Sequence, residues 1–65
     1  MDNALAKYRK QRGLTQKQLA ALADVAQSYI SRLEANVCSL DKLSLDVAIR
    51  LATALGIHAE DLLNE

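Results

Sequence analysis

The chain contains no proline, phenylalanine or tryptophan, and its 65 residues include only two glycines. A chain of this length and composition can form one small domain. Its 51% hydrophobic content excludes a wholly disordered tail. Alanine and leucine are abundant and β-branched residues are scattered, which favours packed helices over a sheet. We therefore predict a single all-α domain that spans residues 1–65.

Cysteine is nearly absent as well, since Cys38 is the only one. This excludes an internal disulfide and a cysteine-based metal cluster, and it suits a reducing cytoplasm. No basic cluster beside Cys38 would activate its thiol, so a redox switch or a bridge between subunits is the less favoured role. His58 is interpreted as a helix-start residue and not as a metal ligand or catalytic group.

No apolar run approaches the roughly 20 residues that a membrane-spanning helix needs, and the N-terminus lacks the apolar core of a secretion signal. We expect a cytoplasmic protein with no membrane contact and no cofactor.

The net charge of zero hides an uneven distribution along the chain. Residues 1–40 carry a net charge of +3, and residues 41–65 carry −3. A basic half beside an acidic half is compatible with nucleic-acid binding. Small domains without such a partner often show the same asymmetry, so the charge distribution alone does not establish nucleic-acid binding.

Local start and stop patterns predict five helices, at about residues 4–12, 15–23, 26–35, 44–55 and 59–63. Gly13 ends the first helix, and Thr15 with Gln18 forms a capping box at the start of the second. Asp24 and Asn36 tolerate the left-handed backbone region, so they are the predicted ends of the second and third helices.

The chain between the third and fourth predicted helices, residues 36–43, shows no sustained period. We predict a loop there, with room for one short helical turn after Ser39. Ser44 caps the fourth helix and Gly56 ends it, while Ile57 and Leu62 are placed to staple the last one.

The second and third predicted helices have a helix-turn-helix layout, with Val25 placed to fill the angle between them. The third helix carries a polar face of side-chain types that can contact base edges in a major groove. Its members are Gln27, Ser28, Ser31 and Arg32. This pattern predicts a nucleic-acid interface, and the alternative is an ordinary solvated surface.

Several motifs in these helices resemble those of Cro-like phage repressors, the XRE family of helix-turn-helix domains. They are Arg9 with Gly13-Leu14-Thr15-Gln16, Leu19-Ala20, Val25, Ser28-Tyr29-Ile30-Ser31-Arg32-Leu33-Glu34, Leu51-Ala52, Ala54-Leu55-Gly56-Ile57 and Asp61-Leu62-Leu63. The resemblance runs from about Ala4 to Leu63. It implies a compact five-helix bundle of the lambda-repressor-like type with its third helix in the major groove. It also implies a homodimer on a palindromic operator, with half-sites about 34 Å apart.

The resemblance assigns roles to individual residues on double-stranded DNA. The implied contacts are Gln16 on the second helix, Gln27, Ser28, Ser31 and Arg32 on the third, and the backbone near Asn36. To this predicted site we add Lys17, a surface charge next to Gln16. Gln16 would contact a phosphate, and the start of the third helix would meet base edges. Lys7, Lys10, Arg12 and Lys17 are surface charges of which one or two would lie near phosphates.

Two further residues carry a structural implication, since the family often pairs Arg9 with Glu34 across the first and third helices. Such a partly buried ion pair would fix helix orientation and bind no ligand. Tyr29 is either a phosphate contact or a ring packed on the neighbouring helix, and the second is slightly favoured.

Three positions depart from the family pattern. Asp24 stands where glycine is usual, and Ala26 stands where a serine or threonine usually caps the third helix. The segment from Glu34 to Gly56, which contains Cys38, is a few residues longer than usual.

These observations together predict a sequence-specific DNA-binding regulator, most simply a repressor. We predict no enzyme, because no nucleophile lies beside a base and no glycine-rich phosphate loop is present. A Cro-type switch, a restriction-modification controller and an antitoxin that represses its own operon all remain open. The alternative is an antitoxin-like protein-interaction module with little DNA affinity, which the zero net charge and Ala26 would permit.

A homodimer is expected on energetic grounds too, since a domain this small buries only about 60% of the surface of its unfolded chain. The expected interface is the loop after Asn36 together with the last helix, where Leu62 or Leu63 would be shared between subunits.

Overall fold

Along the residues that the structure describes, five α-helices and one short 3-10 turn follow one another, and no strand occurs. The computed structural model describes residues 3–37 and 40–63. The helices are α1 (Ala4–Gln11), α2 (Gln16–Ala23), α3 (Gln27–Glu34), α4 (Leu45–Leu55) and α5 (Ala59–Leu63), and the 3-10 turn is Leu40–Lys42. This confirms the predicted all-α, five-helix fold. The predictions made for Cys38 lie outside the described residues.

Side-chain caps set several helix starts. Thr15 and Gln18 form a reciprocal capping box: the Gln18 N–H donates to Thr15 Oγ1 at 3.0 Å, and the Thr15 N–H donates to Gln18 Oε1 at 2.9 Å. The Val47 N–H donates to Ser44 Oγ at 3.3 Å. Both cap residues have an extended backbone, so each helix begins one residue later than predicted. The predicted ranges 4–12 and 26–35 likewise include flanking residues that lie outside α1 and α3.

Residues with a positive φ turn the chain between helices. Among those described, they are Gly13 (φ 69°), Asp24 (57°), Asn36 (61°) and Gly56 (70°). Aspartate and asparagine enter this region more readily than other residues that carry a Cβ atom. The backbone therefore accepts Asp24 where the family usually has glycine.

An apolar core lies where the helices meet. α2 packs on α3 and α4, α4 packs on α5, and α1 packs against α3 and α5. The largest fully buried side chains are Leu5, Leu19, Ile30, Leu33, Leu51, Leu55 and Leu62. Burying one aliphatic side chain of this size contributes about 1.5–3 kcal/mol. This core holds α2 and α3 in a fixed relation to the rest of the domain.

The burial of Leu62 corrects an expectation about the dimer. Leu62 is 0% exposed and belongs to the core of its own chain. The reason is that α5 packs on α1 and α4 and turns its apolar face inward. Leu62 is therefore not available to a second subunit, and the side chain of Leu63 lies outside the described residues.

Candidate nucleic-acid interface

The turn between α2 and α3 holds the two helices at a fixed angle. The N–H groups of Asp24 and Val25 donate to the carbonyl oxygens of Ala21 (3.3 Å) and Ala20 (3.0 Å). The side chain of Val25 packs against the core. Backbone bonds and an apolar contact together orient α3 relative to α2.

The outer face of α3 is polar and exposed. Gln27, Ser28, Ser31 and Arg32 are all exposed, whereas Ile30 and Leu33 on the opposite face are buried. The spacing of the four polar residues places them on one side of the helix. Within the part of the chain that the structure describes, none of their side chains makes a hydrogen bond or ion pair. These donors and acceptors are free to meet another molecule.

The start of α3 carries no side-chain cap. Ala26 has the extended backbone of an N-cap residue (φ −71°, ψ 143°), but its methyl group accepts no hydrogen bond. The start of α3 therefore lacks the side-chain acceptor that a serine or threonine would supply.

The side chain of Gln16, the first residue of α2, is tied to the end of α3. Gln16 is half-buried, and its Nε2 donates to Glu34 Oε1 at 3.1 Å. Lys17 follows it on α2 and is exposed. Gln16, for which a phosphate contact is predicted, therefore lies where the start of α2 meets the end of α3, and its side chain belongs to a hydrogen-bond network.

That network is built on an ion pair between Arg9 and Glu34. Arg9 Nε lies 2.6 Å from Glu34 Oε2 and Arg9 Nη2 lies 2.9 Å from Glu34 Oε1, a bidentate arrangement. The third nitrogen, Nη1, donates to the Leu14 carbonyl oxygen at 2.7 Å. The side chains are only 12% and 8% exposed. One guanidinium thus joins α1, the loop before α2 and the end of α3.

Asn36, just beyond α3, is exposed but anchored. Its Oδ1 accepts a hydrogen bond from Asn3 Nδ2 at 3.1 Å, and its backbone N–H donates to the Leu33 carbonyl oxygen at 3.2 Å. Val37 follows and is 70% exposed. These two hydrogen bonds hold Asn36 in place, and the resemblance assigns a sugar-phosphate contact to its backbone.

The other basic residues of the first half of the chain, Arg12 included, lie at the surface. Lys7, Lys10 and Lys17 are exposed. The Nζ of Lys7 lies 5.6 Å from the centre of the Tyr8 ring. Arg12 Nε donates to the Leu55 carbonyl oxygen at 2.6 Å, so its guanidinium is directed to the end of α4. Tyr29 is half-buried and packs against the core, as the favoured interpretation expected.

Sequence reasoning did not single out Asn3. This side chain is 6% exposed and uses both ends of its amide. Its Oδ1 accepts from the Ala6 N–H at 3.1 Å and caps α1, while Nδ2 donates to the Leu33 carbonyl oxygen at 2.7 Å. An asparagine directly before an apolar helix start is a typical cap, so the first role had a local signal. The second joins residues 30 positions apart and had none.

The described residues include neither a candidate membrane span nor a candidate metal site. None of their helices is both long and apolar enough to cross a membrane. Likewise, these residues include no cluster of three histidine, cysteine, aspartate or glutamate side chains suited to a metal ion.

The fold and the exposed face of α3 define a helix-turn-helix domain. The family model for helix-turn-helix domains matches residues 5–62. The chain belongs to this family of DNA-binding transcriptional regulators, and it is not an enzyme. The resemblance to Cro-like repressors of the XRE family is thereby confirmed.

Two solved structures are similar to this chain over nearly its whole length. One is SinR, the master regulator for biofilm formation, in complex with DNA: it is 30% identical, with 92% of each chain covered and a TM-score of 0.86. The other is the restriction-modification controller protein C.AhdI from Aeromonas hydrophila: it is 34% identical, with 91% of this chain and 85% of that chain covered and a TM-score of 0.81. No curated protein sequence matches the chain.

Proposed function

We propose that this protein is a sequence-specific repressor that binds a palindromic operator as a homodimer, with α3 in the major groove. The observation that carries the proposal is the exposed polar face of α3, whose side chains have no partner among the described residues. Gln27 and Ser28 contact base edges, and Ser31 and Arg32 contact the DNA one turn later. Gln16, Lys17 and the backbone at Asn36 contact the sugar-phosphate chain.

The size of the domain supports a dimer. Its principal extents are 22, 21 and 20 Å. Successive major grooves on one side of B-DNA are about 34 Å apart, so one copy of this domain reaches a single groove. A second copy related by a two-fold axis places a second α3 in the next groove and doubles the sequence that is contacted.

The similar structures support the same proposal. SinR is described in complex with DNA, and C.AhdI is a restriction-modification controller. Both resemble this chain at 30% identity or more over most of its length, which makes a shared mode of DNA recognition the simplest proposal.

Three matched glutamine variants test the assigned contacts, with binding measured by fluorescence anisotropy on a selected operator and on random duplexes. Gln27→Ala should cost about 1–3 kcal/mol on the operator and relax the preference at one base pair. Gln16→Ala should weaken all sequences alike. Gln11, an exposed glutamine on α1, supplies the control: Gln11→Ala should change neither the affinity for DNA nor the base preference. Equal losses on every sequence for Gln27→Ala and Gln16→Ala would contradict the roles.

The dimer interface is proposed to include the loop after Asn36, where Val37 is exposed. Sedimentation with and without operator tests this. Val37→Glu should shift the protein toward monomer, because a dimer would bury an unpaired charge. Leu22→Glu, on the exposed face of α2, is the matched control and should leave the balance of monomer and dimer unchanged. Monomer at high micromolar concentration on and off DNA would contradict the dimer itself.

One observation favours a second candidate function, an antitoxin-like module that binds a protein partner. Leu22, Leu45 and Ile49 are 61%, 74% and 49% exposed. Leu22 on α2 and Ile49 on α4 line one surface pocket, and Leu45 lies one turn before Ile49 on α4. Clustered exposed apolar side chains are typical of interaction surfaces. A protein with this function alone would bind selected and random duplexes with equal, weak affinity.

A further inference from the structure

The carboxylate of Glu34, at the end of α3, accepts three hydrogen bonds from two other elements. Two come from the Arg9 guanidinium, at 2.6 and 2.9 Å, and the third comes from Gln16 Nε2 at 3.1 Å. We propose that Glu34, neutralised by Arg9, is a positioning residue that presents the Gln16 amide to a DNA phosphate. The inference rests on the phosphate contact assigned to Gln16 in the proposed function.

Hydrogen-bond chemistry determines which way the Gln16 amide faces. An ionised carboxylate is an acceptor only, so it must meet the NH₂ group of Gln16 and not its oxygen. The same nitrogen carries a second N–H, which is not bonded within the described residues. Phosphate oxygens accept hydrogen bonds, whereas an amide oxygen in that place would repel them. Glu34 therefore selects the one amide orientation that suits a phosphate.

Charge explains why Arg9 belongs to the same unit. A lone carboxylate beside the DNA backbone would repel phosphate, and at 8% exposure solvent screens it poorly. The bidentate guanidinium cancels that charge and holds the carboxylate in one orientation. Gln16 is then fixed before DNA arrives, which lowers the entropy lost when the complex forms.

If the pair of Arg9 and Glu34 were purely structural, it would fix helix orientation without acting through Gln16. A double-mutant cycle distinguishes this structural role from the positioning role. Affinity is measured for the full chain with Glu34→Gln, Gln16→Ala and both, on random duplexes and the selected operator. Glu34→Gln also leaves the Arg9 charge uncompensated, and this acts on phosphate in both backgrounds, so the positioning role is measured by the difference between them. Compared with its effect in the Gln16→Ala background, Glu34→Gln should weaken binding about three- to tenfold more when Gln16 is present, the worth of one hydrogen bond.

The matched control cycle combines Glu34→Gln with Gln27→Ala, at the opposite end of α3. Here the two losses should multiply, because the residues act independently. If Glu34→Gln changes the affinity by the same factor with and without the Gln16 side chain, the positioning role is overturned and the proposed function stands. If Gln16→Ala itself has no effect, the phosphate contact fails and this inference fails with it.

One measurement on the unmodified protein guards against a Glu34 variant that does not fold. Nitrogen-15 relaxation of side-chain amides in the DNA-free protein compares Gln16 with Gln11 and Gln27. Gln16 should be markedly more ordered, because Glu34 holds it. A Gln16 amide as mobile as that of Gln27 overturns the proposal.

Discussion

The Arg12 guanidinium lies against Gly56, because Arg12 Nε donates to the carbonyl oxygen of Leu55 at 2.6 Å. A methyl group added at Gly56 would overlap Arg12 Nη2 and lie 2.9 Å from Cζ. The bond joins the end of α1 to the end of α4, across 43 positions of sequence. Gly56 thus serves twice, through its positive φ of 70° and through the space it leaves for Arg12.

Gly56→Ala should therefore destabilise the domain more than Gly13→Ala does. Gly13 has nearly the same φ, 69°, but an added methyl group there meets nothing within 4 Å. Both variants carry the cost of a left-handed alanine, about 1–2 kcal/mol. Gly56→Ala should lose about 1 kcal/mol more, the worth of the Arg12 hydrogen bond. Urea unfolding measures both, and in an Arg12→Ala background the two costs should become equal.

Asn3→Asp should destabilise the domain although it preserves the helix cap. The aspartate still offers an oxygen to the Ala6 N–H, but it cannot donate to the Leu33 carbonyl oxygen or to Asn36 Oδ1 as Asn3 Nδ2 does. The Leu33 carbonyl oxygen keeps the Asn36 N–H as a donor, so the cost is that of the two lost hydrogen bonds, about 1–3 kcal/mol. The control is Ser44→Asp, which changes an exposed cap with no second role and should stay within about 0.5 kcal/mol of the unmodified protein. Equal unfolding free energies for the two variants would show that the long-range bonds contribute nothing.

Ala26→Ser should stabilise the domain. The backbone of Ala26 already has the extended cap geometry, so a serine hydroxyl can accept a hydrogen bond from the start of α3, worth about 1 kcal/mol. Ala35→Ser, at the other end of the same helix, offers no N-cap and is the control. A rise in the denaturation midpoint for Ala26→Ser alone is expected. An unchanged denaturation midpoint for Ala26→Ser, or an equal rise for both variants, would contradict the claim that α3 lacks a stabilising side-chain cap.

The pair of Arg9 and Glu34 should be costly to break and far less costly to replace. Removing one partner leaves a mostly buried charge unpaired, so Arg9→Ala or Glu34→Ala should lose about 3 kcal/mol. Arg9→Met combined with Glu34→Leu should lose much less than the two single alanine losses added together. Arg50→Ala is the control, because its ion pair with Asp46 is 44% and 72% exposed and should contribute below about 0.5 kcal/mol. Chemical denaturation of all four variants decides the matter.

What the sequence could predict was set by local interactions. The capping box of Thr15 with Gln18 and the left-handed turns at Asp24 and Asn36 each depend on a few neighbouring residues. Such interactions are encoded by residue type and spacing, and the five helices follow from them. The exposure of the polar face of α3 follows from its helical period in the same way.

What the sequence could not predict depends on contacts between distant parts of the chain. The bonds from Asn3 to Leu33 and from Arg12 to Leu55 have no local pattern. The burial of Leu62 could not be predicted for a similar reason. The sequence shows that a short helix has an apolar face, but not whether that face packs against its own chain or against a second copy. The hydrogen bond between Gln16 and Glu34 likewise depends on how the helices pack, and no local pattern predicts it.

The central claim is that the exposed face of α3 recognises a particular DNA sequence. Selection from a random duplex library, followed by a salt titration on the winning sequence and on unselected duplexes, tests it most directly. We predict enrichment of a two-fold symmetric sequence, bound roughly a thousandfold or more tightly than random DNA, with a steep loss of affinity as salt rises. A library that enriches nothing, or a winner bound no better than random DNA, would contradict the claim.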